Sequence, residues 1–255
     1  MMLGPWVKSD IDNIPKNGLK VFSCFHGGGG SSFGLKLAGF DVLGGVELDP
    51  AMVTLYRANH NPEYSYPMSI ADFNKIPDSE IPNELNDIDV LDGSPPCSSF
   101  SLAGARDRKW GKDSKFREGQ SVQILDDLFF DFLDTAEKLR PKVIIAENVK
   151  DMILGKAKGY VAMVMARLED LDYKPQLFLL KASMMGVPQA RERLFFIATR
   201  SDLNYPKLNL TFDEEKIPLR KALKGTIGDG RKLPPSLMKE WKRTGQGKLG
   251  KAYKG

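Results

Sequence analysis

The chain predicts an α/β fold built on a doubly wound, mostly parallel sheet. Two observations carry that expectation. Short apolar runs alternate with segments of helical periodicity, and no internal repeat or composition change interrupts the alternation before about residue 200. At 255 residues the chain suits one sizeable domain with a small appendage, and its 42% apolar and 27% charged residues are ordinary for a globular protein.

The elements follow in order. "LKVFSCF" is an apolar run ending in "HGGGG", and the "SSFGLKLAGF" behind it has serines suited to an N-cap and apolar residues at helical spacing; strand, glycine turn and helix are expected. "DVLGGVE" reads as a second strand. "PAMVTLYRANH" reads as a helix opened by Pro50, which is favoured in a first turn because its missing N–H is not needed there. "DIDVLDG" and "KVIIAENV" are the third and fourth strands, and "QLFLLKA" and "RLFFIAT" two more. Between the third and fourth, "QSVQILDDLFFDFLDTAEKLRP" places Leu125, Leu128, Phe129, Phe132, Leu133 and Ala136 on one helical face and Pro141 past its end. In such a sheet ligands sit beyond the C-terminal ends of the strands, so functional residues are expected where strands stop.

Composition removes several classes. The N-terminus lacks an apolar signal core, and no apolar run approaches the ~18 residues of a membrane span, which makes a cytoplasmic location without membrane contact the expectation. Two cysteines, Cys24 and Cys97, and two histidines, His26 and His60, give neither a disulfide framework nor a zinc-ligand spacing, so no metal is expected. Charge is uneven: residues 216–255 hold twelve Lys and Arg against Asp229 and Glu240, a tail of +10 in a chain of net +4. A tail of that sign attracts polyanions, and a plain solvated end explains it equally well.

Three strand ends offer chemistry. In "FHGGGGSSFG" consecutive glycines let backbone N–H groups approach a ligand at a helix N-terminus, although a tight turn accounts for them too. The dinucleotide fingerprint needs glycines at offsets of about two and five, and counted from Gly27 or Gly28 the last falls on Ser32 or Phe33, so a pyrophosphate is not indicated. Glu47 closes the second strand, at the distance where a carboxylate accepts from ribose hydroxyls. The pair suggests a nucleoside cofactor without demanding phosphates, and S-adenosylmethionine fits better than a nicotinamide dinucleotide. The third strand leads into "DGSPPCSSFS", where both prolines favour a stiff, extended approach to Cys97. The fourth ends in "AENV", bringing Glu147 to a neighbouring strand end. A thiol and a carboxylate over one crevice are more than core packing requires.

With these motifs in this order, the chain resembles the DNA (cytosine-5) methyltransferases. "VFSCFHGGGGSSFGLKLAGF" is similar to the family's first motif, Glu47 to its second, "SPPCSSFS" to its nucleophile loop, "ENV" to its glutamate motif and "GVPQARER" to its arginine motif, spanning residues 20 to about 200. The resemblance implies a Rossmann-like S-adenosylmethionine-dependent methyltransferase fold, with residues 1–200 as the catalytic domain. It also implies a mechanism. Cys97, as thiolate, adds to cytosine carbon 6, and Glu147 binds N3 and the exocyclic amino group so that charge leaving the ring is neutralised. Carbon 5 then takes the methyl group of S-adenosylmethionine, and loss of its proton expels Cys97. Arg193 matches the arginine that contacts cytosine O2, and its charge would help lower the Cys97 pKa; Arg191 and Gln189 match supports of the site and backbone.

Cofactor contacts are implied at Phe25, Gly27, Gly29, Gly30 and Glu47 and, from later segments, at Ser69, Ile70, Asp72 and Pro95. Substrate contacts are implied at Pro96, Ser101 and Gln189. The target base must leave the duplex, and residues 101–120, with six Lys and Arg against three acids, lie where the family has a loop that closes over it. There are departures. Ser69 occupies the place of an aspartate that touches the adenine amino group, with Asp72 close behind, so which of the two reads adenine is open. Ser98 stands where glutamine often follows the nucleophile. In residues 201–255 neither a target-recognition domain nor the last motifs are recognisable; a fragment, or the larger subunit of a split enzyme with a second polypeptide, is therefore expected. Duplex DNA is the implied acceptor, with a cytosine-5 RNA methyltransferase and a non-catalytic cofactor-binding module as alternatives.

Overall fold

The computed structural model describes residues 8–96, 113–114, 123–124, 128–155 and 157–222. The first half holds α1 (Lys8–Asp12), β1 (Lys20–Cys24), α2 (Gly30–Leu37), β2 (Asp41–Val46), α3 (Pro50–His60), β3 (Tyr64–Tyr66), α4 (Ile70–Asn74) and β4 (Val90–Gly93). A short ladder, β5 (Asp113–Ser114) with β6 (Gln123–Ile124), precedes α5 (Leu128–Leu139). Then come β7 (Val143–Val149), α6 (Ala157–Asp170), β8 (Tyr173–Lys181), β9 (Glu192–Arg200) and α7 (Leu219–Ala222).

Seven strands form one sheet in the order β3-β2-β1-β4-β7-β9-β8. Pairing is parallel from β3 through β7 and antiparallel where β9 lies between β7 and β8. The doubly wound expectation therefore holds. From β1 the chain steps outward through β2 to β3, and from β4 it steps the other way, so the winding reverses between β1 and β4. There Ser23 pairs with Asp92 and Cys24 with Gly93, and the glycine loop and the diproline loop leave the sheet side by side. A crevice opens at such a reversal because the two loops diverge from adjacent strands.

Strand alternation sorts the side chains onto two faces. Phe22, Leu91, Ile144 and Phe196 pack with Phe129, Phe132 and Leu133 of α5 and with Val164 of α6. Val21, Val42 and Val90 form the opposite face, with Leu35 of α2 against them. Each fully buried side chain of this size stabilises by about 1.5–3 kcal/mol. The packing also shapes the site: Phe132 lies so close to Gly93 that a Cβ there would come within 2.4 Å of its ring, and only glycine can end β4 at this point.

Some elements differ from the sequence reading. The helix expected from residue 120 to before Pro141 begins at Leu128, and Gln123–Ile124 pairs with Asp113–Ser114 instead; Val122 and Ile124 are spaced as in a strand, while helical spacing holds from Leu128 onward. Leu125 lies outside the described residues. The serines expected to cap α2 do not cap it. Gly29 is the N-cap, and the Ser31 and Ser32 hydroxyls inside the first turn point to Asp92 and Tyr56. Strand β3 has three residues, too few for a periodicity signal. Helix α6, which the alternation implied without locating, buries Tyr160, Val161, Val164 and Leu168. Beyond β9 the chain turns back along β8, where Gln176 and the backbone of Leu208 exchange two hydrogen bonds at 2.8 and 3.0 Å.

Candidate active site

The glycine loop is held in an unusual path from several sides. Phe25, directly after β1, has φ +54°, a left-handed conformation that costs a non-glycine residue of order 1–3 kcal/mol and persists only when surroundings enforce it. Its N–H donates to the Val46 carbonyl at 2.9 Å. Gly27 N–H donates to Glu47 Oε2 at 3.0 Å, and Asp49 N–H to Glu47 Oε1 at 2.9 Å, so the Glu47 carboxylate is oriented by backbone on both oxygens. A carboxylate has about four acceptor sites, which leaves capacity for ribose hydroxyls. Asn59 of α3 donates to the Gly28 carbonyl at 3.0 Å.

Gly29 has φ +89°, and a Cβ there would meet His60 Nε2 at 2.0 Å. His60 belongs to a stack beneath the loop: His26 on Tyr56 at 3.6 Å, Tyr56 on His60 at 4.5 Å and His60 on Phe33 at 4.1 Å. Burial, helped by the Lys36 charge, pushes the His60 pKa down to about 4, so the ring is neutral near pH 7. Gly30 opens α2, and Ser31 Oγ in its first turn donates to Asp92 Oδ2 at 2.8 Å.

Residues 69–72 follow β3 at the sheet edge next to Glu47, whose N–H donates to the Tyr66 carbonyl at 3.2 Å. Ser69 caps α4, accepting from Asp72 N–H at 3.1 Å, and its hydroxyl donates to Asp72 Oδ2 at 2.7 Å. That hydrogen bond and the Lys75 ammonium hold the exposed Asp72 carboxyl below the usual carboxylate range. Ile70 is buried. Ser69 and Asp72 thus form one unit.

On the other side of the crevice, Pro95 is buried and Pro96 half-buried. Asn148 of β7 donates through Nδ2 to the Pro95 carbonyl at 3.1 Å and accepts from Val149 N–H at 2.8 Å. Cys97 and Ser101 lie outside the described residues, as do residues 97–112 generally. The other cysteine, Cys24, is buried, and burial pushes its thiol up, which leaves it unsuited to attack.

Glu147, one residue before Asn148, pairs with Arg193 Nε at 2.9 Å and Arg191 Nη2 at 3.4 Å, both through Oε1. Strand register explains the meeting, since Val149 of β7 lies opposite Arg193 of β9. Glu192, between the two arginines in sequence, points away to Lys150 and Lys181, and Arg193 Nη1 meets only its backbone carbonyl, at 2.8 Å. Side chains a quarter or more exposed gain at most about 1 kcal/mol from such pairs, so this cluster is better understood as orienting Glu147 than as stabilising the fold. Gln189 is exposed on the turn before β9.

The structure therefore brings Phe25, Gly27, Gly29, Gly30 and Glu47 together on one side of the crevice, with Ser69, Ile70 and Asp72 at the adjoining edge, and sets Pro95, Glu147, Arg191 and Arg193 on the other. Sequence reasoning missed three residues that connect these groups: Asp92, Ser31 and Asn148. All sit inside quoted motifs, but their partners lie on other strands. Among the described residues no His, Cys, Asp and Glu cluster suits a metal ion, and no helix is long and apolar enough to cross a membrane. The residues present fit S-adenosylmethionine, since a glycine turn that rejects a Cβ at Gly29 is hydrogen-bonded through Gly27 to the oriented Glu47 carboxylate.

Comparison with known proteins gives the same direction. The family model for C-5 cytosine-specific DNA methylase matches residues 19–249. The type II methyltransferase M.NgoPII of Neisseria gonorrhoeae is 32% identical over 215 residues, covering 81% of this chain and 57% of its own length. The type II methyltransferase M.AplI of Arthrospira platensis is 34% identical, covering 74% of this chain and 48% of its own, and the orphan methyltransferase M.SPRI of Bacillus phage SPR is 34% identical over 72% and 38%. The chain spans about half the length of the curated relatives it matches. Among solved structures, the S. pombe Dnmt2 methyltransferase superposes with a TM-score of 0.60 at 18% identity, over 89% of this chain and 66% of that one, a likeness of fold. With the motifs in order, the strand ends assembled and the family model matching residues 19–249 of the chain, the chain belongs to the C-5 cytosine-specific DNA methylase family, whose cofactor is S-adenosylmethionine.

Proposed function

We propose that this chain is the catalytic part of an enzyme that methylates carbon 5 of cytosine in duplex DNA, with residues 1–200 as the catalytic unit and 201–255 as a basic lead into a base-reading portion. The observation that carries the reading is the pairing of Glu147 with Arg193 and Arg191, one residue from the Asn148 clasp on the loop that runs into Cys97.

Bound S-adenosylmethionine supplies an electrophilic methyl group. The chain's own residues do the rest. Cytosine carbon 5 is too weak a nucleophile until something adds at carbon 6, and Cys97, next after Pro96, is the thiol in sequence to do so. Both arginines reach the same Glu147 oxygen, which leaves Oε2 to face the base at N3 and the exocyclic amine and to hold the proton that neutralises the ring there. Arginine charge at this strand end also favours the Cys97 thiolate. Glu47, with Ser69 and Asp72, reads the nucleoside end of the cofactor in this proposal, supported by the backbone hydrogen bonds that orient Glu47 and by the Ser69–Asp72 hydrogen bond. Ser101 and Gln189, with the basic residues of 101–120, are assigned to the DNA side, because a base can be reached only after it leaves the stack.

The length of the relatives supports further polypeptide for base reading, continuous with this chain or separate from it. A cytoplasmic location belongs to the same reading, because bacterial DNA is cytoplasmic. The test is incubation with methyl-labelled S-adenosylmethionine and either duplex DNA or transfer RNA. The reading predicts label on cytosine carbon 5 of DNA; label on RNA alone contradicts the acceptor, and cofactor binding without transfer to either, in the presence of every candidate partner polypeptide, contradicts the activity.

A further inference from the structure

Asp92 stands out among the groups the mechanism leaves unused. It lies on β4 where the winding reverses, 7% exposed, and its Oδ2 accepts from Ser23 Oγ of β1 and Ser31 Oγ of α2, each at 2.8 Å. Among the described residues it has no cationic partner, and no hydrogen bond reaches Oδ1. Burial, with the Glu147 charge adding to it, raises its pKa against the opposing effect of the two serines. A carboxylate kept in such a place without a cation costs free energy that a hydrophobic residue would avoid. Its face is known from register: Asp92 lies opposite Ile145 of β7, so it shares a side of the sheet with Ile145 and, two residues on, with Glu147.

We propose that Asp92 is the counter-ion of the α-ammonium group at the methionine end of the cofactor. The inference rests on the cofactor assignment made above and adds a residue to it. Ser23 and Ser31 engage one oxygen and fix the carboxylate plane, which leaves the other oxygen for the ammonium. Ser31 belongs to the helix that the glycine loop opens, so the anion is carried by the same structure that cradles the ligand. S-adenosylhomocysteine keeps the ammonium but lacks the sulfonium charge, and its deaminated analogue lacks the ammonium as well; between them they isolate the contact.

The test is calorimetric binding of both ligands to the full chain and to its Asp92→Asn variant, whose amide oxygen still accepts from the serines. Wild type is expected to bind the deaminated analogue at least about ten-fold more weakly than S-adenosylhomocysteine, as loss of one charge-assisted contact dictates. Asp92→Asn is expected to lose at least about ten-fold for S-adenosylhomocysteine and to change less than about two-fold for the analogue. A thermal melt establishes that the variant folds; if it does not, the wild-type comparison of the two ligands decides. Equal loss for both ligands, no discrimination by wild type, or loss for S-adenosylmethionine but not S-adenosylhomocysteine overturns the assignment. Failure of wild type to bind any of the three overturns the cofactor reading itself, a distinct result.

Discussion

Asn148 and Pro95 are joined by a buried hydrogen bond, Nδ2 to carbonyl at 3.1 Å, which ties the end of the glutamate strand to the stiff loop before Cys97. The bond lets one strand position two chemical groups. Asn148→Ala leaves the buried Pro95 carbonyl without a donor among the described residues and is expected to cost about 1–3 kcal/mol of stability. Methyl transfer should fall by more than cofactor affinity does. Chemical denaturation, cofactor calorimetry and a transfer assay on the same variant check all three.

Two adjacent glycines should respond differently. Gly29→Ala forces a Cβ into His60 at a residue with φ +89°, whereas among the described residues nothing lies within 4 Å of a Cβ at Gly30. Gly29→Ala is expected to lower the melting temperature and abolish detectable cofactor binding. Gly30→Ala should fold normally, with any loss confined to the ligand, and thermal melts with and without S-adenosylhomocysteine distinguish the two.

Glu147→Gln removes the charge that Arg193 and Arg191 share. Because these side chains are partly exposed, stability should change by less than about 1 kcal/mol. Transfer should fall by about 100-fold or more, the scale of a lost general acid–base group, while S-adenosylhomocysteine binding stays within about two-fold of wild type. Single-turnover transfer beside calorimetry measures the split.

Acid stability should depend on His60. Its folded pKa, about 4, lies below its ordinary value of 6.5, so the unfolded chain binds more protons between those limits. Its contribution is present above pH 6.5 and is lost as the pH falls toward 4. Denaturant titrations across that window should show falling stability in wild type and a shallower slope in His60→Gln.

Much of this architecture was legible from the chain. Hydrophobic runs located β1, β2, β4, β7, β8 and β9, and the motif spacing put Glu47 and Glu147 at strand ends, because strand ends are where short apolar runs stop. What escaped was what depends on partners distant in sequence. Ser31 looks like a cap until Asp92, 61 residues away, supplies its acceptor. Asn148 looks like part of a motif until Pro95, 53 residues away, supplies its carbonyl. Helix α5 starts later than its apolar pattern implies, because such a pattern cannot tell a short ladder from a first helical turn.

The central claim concerns Cys97, and covalent trapping tests it most directly. In DNA whose target cytosine carries fluorine at carbon 5, methyl transfer leaves no proton to lose, so the thiol cannot be expelled and the adduct persists. With S-adenosylmethionine present, under conditions that support transfer, peptide mass spectrometry should find the DNA adduct on Cys97 and none on the buried Cys24. An adduct on another residue, or methyl transfer undiminished in Cys97→Ala, contradicts the account.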